Sequence, residues 1–143
     1  MGLTKIRTAA MPTGSVLQVK SQSFTGIASE TGKTSTSYGA TGAELAITPS
    51  STSSKIQIMI TGAAQNGSST GGCNARIYKD GSQLTSTNIV QYADSNDVSG
   101  FALDFLDSPA TTSSVTYQLY YAAFSTGTAY INFPTITLME VAG

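Results

Sequence analysis

At 143 residues, with a formal net charge of -1 and a sequence pI near 5.1, the chain has room for one domain with a real hydrophobic core. It carries too little positive charge for a nucleic-acid binder, whose affinity comes from basic contacts to phosphate. Charged residues are only 10% of the chain, against roughly a quarter in ordinary soluble domains, so the surface is built from hydroxyls and amides, and this composition predicts an oligomer.

The few charges are unevenly placed. Of seven bases and eight acids, Lys5, Arg7 and Lys20 precede the first acid, Glu30, so residues 1–29 carry +3 and the remaining four bases and eight acids give -4. Residues 1–13 hold no lasting period and run into the break Met11-Pro-Thr-Gly14. Residues 1–14 are therefore expected to be an extended arm and residues 15–143 the folded domain. In residues 15–24, Val16, Leu17 and Val19 with Gln18 and Lys20 between them predict a first strand. Residues 25–42, rich in Ser, Thr and Gly, read as a loop with a ragged strand near residues 36–38. Residues 43–48 resume alternation, with Ala43, Leu45 and Ile47 on one face.

The Pro-Ser-Ser-Thr-Ser-Ser run at 49–54 is a turn that delivers residues 55–61, the clearest strand signal, with Ile56, Ile58 and Ile60 on one side. Residues 62–72 contain Asn66-Gly67 and Gly71-Gly72 and read as an exposed loop; a phosphate cradle is disfavoured because no Gly-Lys-Ser/Thr ending or helix follows. Residues 73–78 and 83–87 flank Lys79-Asp-Gly-Ser82, a hairpin signal, with Ala75 and Ile77 pointing inward. Residues 89–97 are less regular, and in residues 100–106 Phe101, Leu103 and Phe105 share a side. Ser108-Pro109 reverses the chain into the longest strand signal, from Val115 to Tyr121, with Val115, Tyr117, Leu119 and Tyr121 on the core side. Tyr120 and Tyr121 must then face opposite ways. After the turn at Ser125-Thr-Gly127, residues 128–132 and 135–141 read as strands parted by Phe133-Pro134, a proline suited to a strand start or an edge.

No segment longer than ten residues has a helical period with caps. The pattern is all-β: a single β-sandwich, jelly-roll-like, of about eight antiparallel strands behind a short extended N-terminal arm.

The chemistry on offer is narrow. Without histidine there is no Ser-His-Asp, Cys-His or zinc-hydrolase mechanism, and the lone Cys73 builds neither an intrachain disulfide nor a thiol zinc site. Asp94, Asp97, Asp104 and Asp107 form the one local acidic cluster, which reads as solvated or turn-capping aspartates ahead of a calcium site or a glycosidase pair, given no tryptophan and incomplete spacing. No catalytic residue, metal or cofactor is expected. Residues 1–13 lack the apolar run of a secretory signal and no stretch approaches a membrane span of about 20 apolar residues, so a soluble protein made in the cytosol, with no membrane partner, is expected.

Three stretches together resemble a family of bacteriophage virion proteins, of the cyanophage type: Met11-Pro-Thr-Gly-Ser-Val-Leu-Gln-Val19, Ile47-Thr-Pro-Ser-Ser-Thr-Ser-Ser-Lys-Ile56 and Phe105-Leu-Asp-Ser-Pro-Ala-Thr-Thr-Ser-Ser-Val-Thr-Tyr-Gln118. Ile136-Thr-Leu-Met-Glu-Val141 is similar to the family's ending. The resemblance implies a β-sandwich module attached to phage particles, often at the tip of tail-fibre-like chains, and trimeric. An extended ten-residue arm reaches at most about 35 Å, too short for a fibre shaft. The expected protein is therefore a homotrimeric capsid decoration, or cement, protein on the virion surface, made in the host cytoplasm. Its partner is the major capsid protein, and the arm bearing Lys5, Arg7 and Met11 is the docking element. The alternative is a tail-fibre or short-fibre tip that binds host glycan through residues 62–72 and 88–99.

Overall fold

The structure, a computed structural model, describes residues 11–25, 32–68, 70–86, 88–92 and 97–143. Among these the regular elements are strands: β1 (Val16–Ser23), β2 (Gly39–Ile47), β3 (Lys55–Asn66), β4 (Gly72–Lys79), β5 (Ser82–Gln83), β6 (Asn88–Tyr92), β7 (Val98–Asp107), β8 (Val115–Phe124) and β9 (Ala129–Val141). They form a four-stranded sheet in the order β1-β9-β3-β7 and a five-stranded sheet in the order β2-β8-β4-β5, with β6 also on β4. Every pairing is antiparallel.

β5 pairs with Tyr78 and Lys79 and β6 with residues 72–75 of the same strand, while β8 occupies the other side of β4. β5 and β6 are thus two lengths of one interrupted edge. Counted as one, they leave eight strands. First then pairs with last, second with seventh, third with sixth and fourth with fifth, as in a long hairpin. The hairpin is rolled so that β3 meets β9 and β4 meets β8. That connectivity is the jelly roll, the architecture the alternating pattern predicts.

The core lies between the sheets. Ile56, Ile58 and Ile60 of β3, Ile131, Ile136 and Leu138 of β9 and Leu103 of β7 face Ala43 and Ile47 of β2, Ala75 and Ile77 of β4 and Val115, Tyr117 and Leu119 of β8. All are buried, and the β-branched residues sit where a pleated, two-sided core favours them. The Asp80-Gly81 turn has φ of 48° and 78°, the positive pair that a type I′ hairpin needs. Ala75 and Ile77 point inward as their spacing predicts.

Four expectations change. Residues 62–66 are not loop: β3 runs on to Asn66, because Gly62 to Gln65 pair with residues 98–101 of β7 and Ala63 to Asn66 with residues 129–132 of β9. The glycine at 62 is there for space, since a Cβ would stand 3.0 Å from the ring of Phe101, which lies across it. Only residues 67–71 connect β3 to β4. Second, β2 begins at Gly39, ahead of the alternating run, and is bulged between Ala40 and Glu44. The Thr41 hydroxyl replaces a lost ladder bond by donating to Leu119 O at 2.9 Å and accepting from Ala43 N at 3.0 Å.

Third, residues 128–132 and 135–141 are one strand, β9, in the interior of its sheet. Thr61 pairs with Thr135 and Ala63 with Asn132, so Phe133 and Pro134 together oppose Gly62. A bulge of this kind leaves one residue outside the ladder, and a proline without N–H is tolerated there. Fourth, β1 is inverted relative to its apolar pattern. Val19 pairs with Met139 on the outer face, whereas Gln18 and Lys20 point inward, opposite Glu140 and Leu138. Both polar side chains reach across to the second sheet: Gln18 Nε2 donates to Thr48 O at 2.8 Å and Lys20 Nζ to Ala46 O at 2.9 Å. They close the β1–β2 side of the sandwich.

Candidate interaction surface

Directly paired residues of neighbouring strands share a face, so the registers lay out the outer surface of the β1-β9-β3-β7 sheet row by row. One row is Val19, Met139, Gln57 and Leu106; the next is Ser21, Thr137, Met59 and Asp104; the third is Ser23, Thr135, Thr61 and Ala102. Lys55 and Val141 pair at one end, beside Val16. Across these rows Lys55 and Asp104 are the charged side chains, and Asp104 accepts a hydrogen bond from Gln57 Nε2 at 2.6 Å. Ser21 and Thr137, and likewise Ser23 and Thr135, bond hydroxyl to hydroxyl at 2.8 Å. Val16, Val19, Met59 and Leu106 are exposed on this face, and Phe133 at the bulge of β9 is 66% exposed. The face is flat, nearly uncharged and hydroxyl-lined, with aliphatic side chains standing out of it.

The outer face of the other sheet differs. Tyr78 and Tyr120 stack with ring centroids 3.8 Å apart and planes 11° from parallel, and the Arg76 guanidinium lies 3.9 Å over the ring of Tyr38. Arg76 also donates to Gln83 Oε1 at 2.8 Å, and Gln118 to Glu44 Oε2 at 2.9 Å. The Tyr38 hydroxyl is buried with no hydrogen-bond partner among the described residues. The adjacent tyrosines divide as alternation requires: Tyr121 is buried and Tyr120 lies outward.

One end of the sandwich is closed by an inward polar row, Gln18, Glu140, Ile56 and Asp107, set side by side across the sheet. Asp107 accepts from Tyr117 OH at 2.8 Å and from Lys79 Nζ at 3.0 Å. A carboxylate of one sheet thereby holds two strands of the other. Burial first, and then the hydrogen bond and charge of Asp107, push the Tyr117 hydroxyl well above the usual tyrosine range, so it stays a donor. Glu140 accepts from Gln18 Nε2 at 2.6 Å and from Ser50 N and Oγ at 2.7 and 2.6 Å. Burial raises its pKa, but the bonds from Ser50 and Gln18 outweigh that and hold it below the usual carboxylate value. Ser54 Oγ makes no hydrogen bond of ordinary geometry, yet it lies close enough to the carboxylate to lower its pKa as well.

The predicted acidic cluster is not one. Asp104 faces outward to Gln57, Asp107 inward to Lys79 and Tyr117, Asp97 lies ahead of β7, and Asp94 falls outside the described residues. A separation of three positions puts Asp104 and Asp107 on opposite faces of one strand. Among the described residues no group of three or more His, Cys, Asp or Glu could hold a metal. Cys73 is buried, and burial raises its thiol pKa to about 12, which makes it inert.

Of the predicted docking residues, Lys5 and Arg7 lie outside the described residues. Met11 lines a cavity of about 380 Å³ with Leu17, Ser50, Ser51, Ser53, Ser54, Ala142 and Gly143. The chain there is tied to its own C-terminal end, with Gly14 N donating to Ala142 O and Ala142 N to Ser15 O, both at 2.8 Å. Of the predicted glycan loops, residues 62–66 belong to β3, and residues 88–99 include all of β6 and the first two residues of β7, with 93–96 outside the described residues.

Fold and faces together define a jelly-roll β-sandwich module. No family model and no curated protein matches the sequence. Among solved structures it is similar to dimeric latent PorU from Porphyromonas gingivalis at 6% identity and a TM-score of 0.47, over 92% of this chain and 14% of that one. It is similar to the infectious bursal disease virus Gx strain at 8% and 0.43, over 90% and 33%, and to a family 35 carbohydrate binding module from an environmental isolate at 15% and 0.41, over 92% and 94%. The chain thus spans only a small part of the first two, and likeness at this level says nothing of what it binds.

Proposed function

We propose that the chain is a non-enzymatic structural protein of a bacteriophage virion, a homotrimer that decorates the capsid surface and braces it through contacts with the major capsid protein. The observation that carries this reading is the outer face of the β1-β9-β3-β7 sheet. Its aliphatic residues are exposed although inward positions exist for them, as the inversion of β1 makes plain: the fold turns Val19 outward and Gln18 inward. Large exposed apolar groups on an uncharged surface mark protein contacts. Three such faces on one trimer add through effective concentration, so each contact can be modest. The resemblance of residues 11–19, 47–56 and 105–118 to phage virion proteins supplies the setting.

The test is occupancy of purified particles. Wild type is expected at hundreds of copies per particle, and Val19→Lys with Met59→Lys, both at exposed positions, is expected to lose at least about 90% of that occupancy while keeping its Tm within about 3 °C. Undiminished occupancy of the double variant would overturn the reading.

A fibre tip that binds host glycan is the second reading, and Tyr38, Arg76, Tyr78 and Tyr120 favour it. Aromatic rings beside a guanidinium suit a sugar. A glycan screen showing binding that Tyr78→Ala abolishes, at a few tens of copies per particle, would select it.

A further inference from the structure

We propose that β1 is a detachable strand that copies of the chain exchange, each laying its own β1 along the β9 of a neighbour in the same register. This rests on the reading of the chain as a homo-oligomer and names the contact that joins its copies.

β1 is held differently from the other long strands. β2, β3, β4, β7, β8 and β9 each place at least one apolar side chain in the core, among them Ala43, Ile58, Ile77, Leu103, Leu119 and Leu138, and β1 places none. No residue from Val16 to Ser23 is buried, and Val16 and Val19 are 51% and 56% exposed. What fastens this strand is polar: the ladder to β9, continued by Gly14 and Ser15 on Ala142, the bonds from Gln18 and Lys20 to β2, and the hydroxyl pairs Ser21 with Thr137 and Ser23 with Thr135. The side-chain bonds to β2 and the hydroxyl pairs are exposed, so water competes for the same groups and each adds little net hold. The burial of aliphatic surface that fixes the other strands is missing. At the bulge between Val16 and Gln18, Leu17 lines the cavity beside residues 50–54 with Met11. The core's grip on the chain begins one residue past β1, at the buried Phe24. A strand with so few buried apolar contacts opens at a small fraction of the free energy that unfolds the domain.

Opening bares the edge of β9, and a bare edge takes up a strand. The strand that fits it is already in the fold: β1 matches β9 from Val16 on Val141 to Ser23 on Thr135, with Gln18 bonded to Glu140. Every copy carries that strand. A neighbour's β1 remakes each of these bonds, so exchange loses no contact and is decided by effective concentration, which is high among copies in one assembly. Reach permits it. Counted back from Phe24, residues 11–23 extend up to about 45 Å, against a radius of gyration of about 15 Å for a folded domain of this length. With only 10% of residues charged, little repulsion opposes copies brought that close. Passed from each copy to the next, the exchange closes a ring.

Ser21 and Thr137, exposed and bonded hydroxyl to hydroxyl at 2.8 Å, supply the test. In the full-length S21C/T137C variant a disulfide ties β1 to whichever β9 it lies on, and the native Cys73 is buried. Oxidised at a concentration where light scattering gives the oligomer, the variant is expected to run in denaturing, non-reducing electrophoresis as linked multiples of the chain. Oxidised while dilute and monomeric, it ties β1 to its own β9, and assembly on concentration should then be lost and return on reduction. An oligomer whose oxidised chains run singly overturns the exchange and leaves the assembly reading standing; monomers at every concentration remove both. Hydrogen exchange on the dilute wild-type chain is the readout that needs no disulfide: amides of β1 are expected to exchange about 100-fold faster than those of β3 and β8, and equal protection of the three strands overturns the detachment of β1.

Discussion

Asp107 and Glu140 flank Ile56 in one row, and each is committed to fixed donors, so both serve stability. Replacing Asp107 with alanine strands the wholly buried Tyr117 hydroxyl and frees the Lys79 ammonium, and is expected to lower stability by about 3 kcal/mol, roughly 10 °C in Tm. Lys79→Met, at a side chain 30% exposed, should lose only about 1 kcal/mol; thermal melts of the two variants check the order. Glu140 has a folded-state pKa below its unfolded value, so its contribution is fully present above about pH 4.3 and is lost as pH falls through the folded value. Glu140→Gln should flatten the acid limb of a Tm-against-pH profile below about pH 5, and an unchanged limb would count against this. Alternation that sets Phe101, Leu103 and Phe105 inward sets Asp107 inward too, yet beside Ser108-Pro109 it reads as a solvated or turn-capping aspartate, because its partners Tyr117 and Lys79 come from the other sheet. Glu140 was not legible either, because nothing in its own strand announces that Ser50, 90 residues away in sequence, would cap it.

Among the elements, the alternating runs of β3, β4, β7 and β8 were plain in the sequence, as was the Asp80-Gly81 hairpin. What escaped was every place where a neighbour overrode the local pattern. Residues 62–66 look like loop because glycine and alanine have weak strand preference, yet two flanking strands hold them. β1 looks core-facing because Val16, Leu17 and Val19 are apolar, yet its position at the edge decides which side meets solvent. The Phe133-Pro134 break is real but is absorbed as a bulge, with Phe133 at a φ of 48°. For a bulky residue that conformation is strained by about 1 kcal/mol or more, and among the described residues its ring is the most exposed of the large apolar side chains. Phe133→Gly should therefore raise Tm slightly or leave it unchanged while weakening association; a clear drop in Tm would show that the ring serves the fold.

At the scale of the molecule, the jelly roll makes the chain's ends interdependent. β9 lies between β1 and β3, so removing residues 135–143 is expected to leave an insoluble chain without a strand spectrum by circular dichroism, whereas removing residues 1–10 should preserve that spectrum. Pairing first with last strand also demands closure of a very long loop, so refolding should take milliseconds to seconds or longer. The architecture was legible because eight short runs with turns between them admit few other packings. The functional faces were not, since what distinguishes them is which side of each strand the registers turn outward.

The burial of Cys73 has a practical sequel. With its only native thiol chemically silent at neutral pH, the protein accepts a maleimide dye or spin label at any single engineered surface cysteine without first deleting a wild-type one, so distances between copies can be measured on an otherwise unaltered chain.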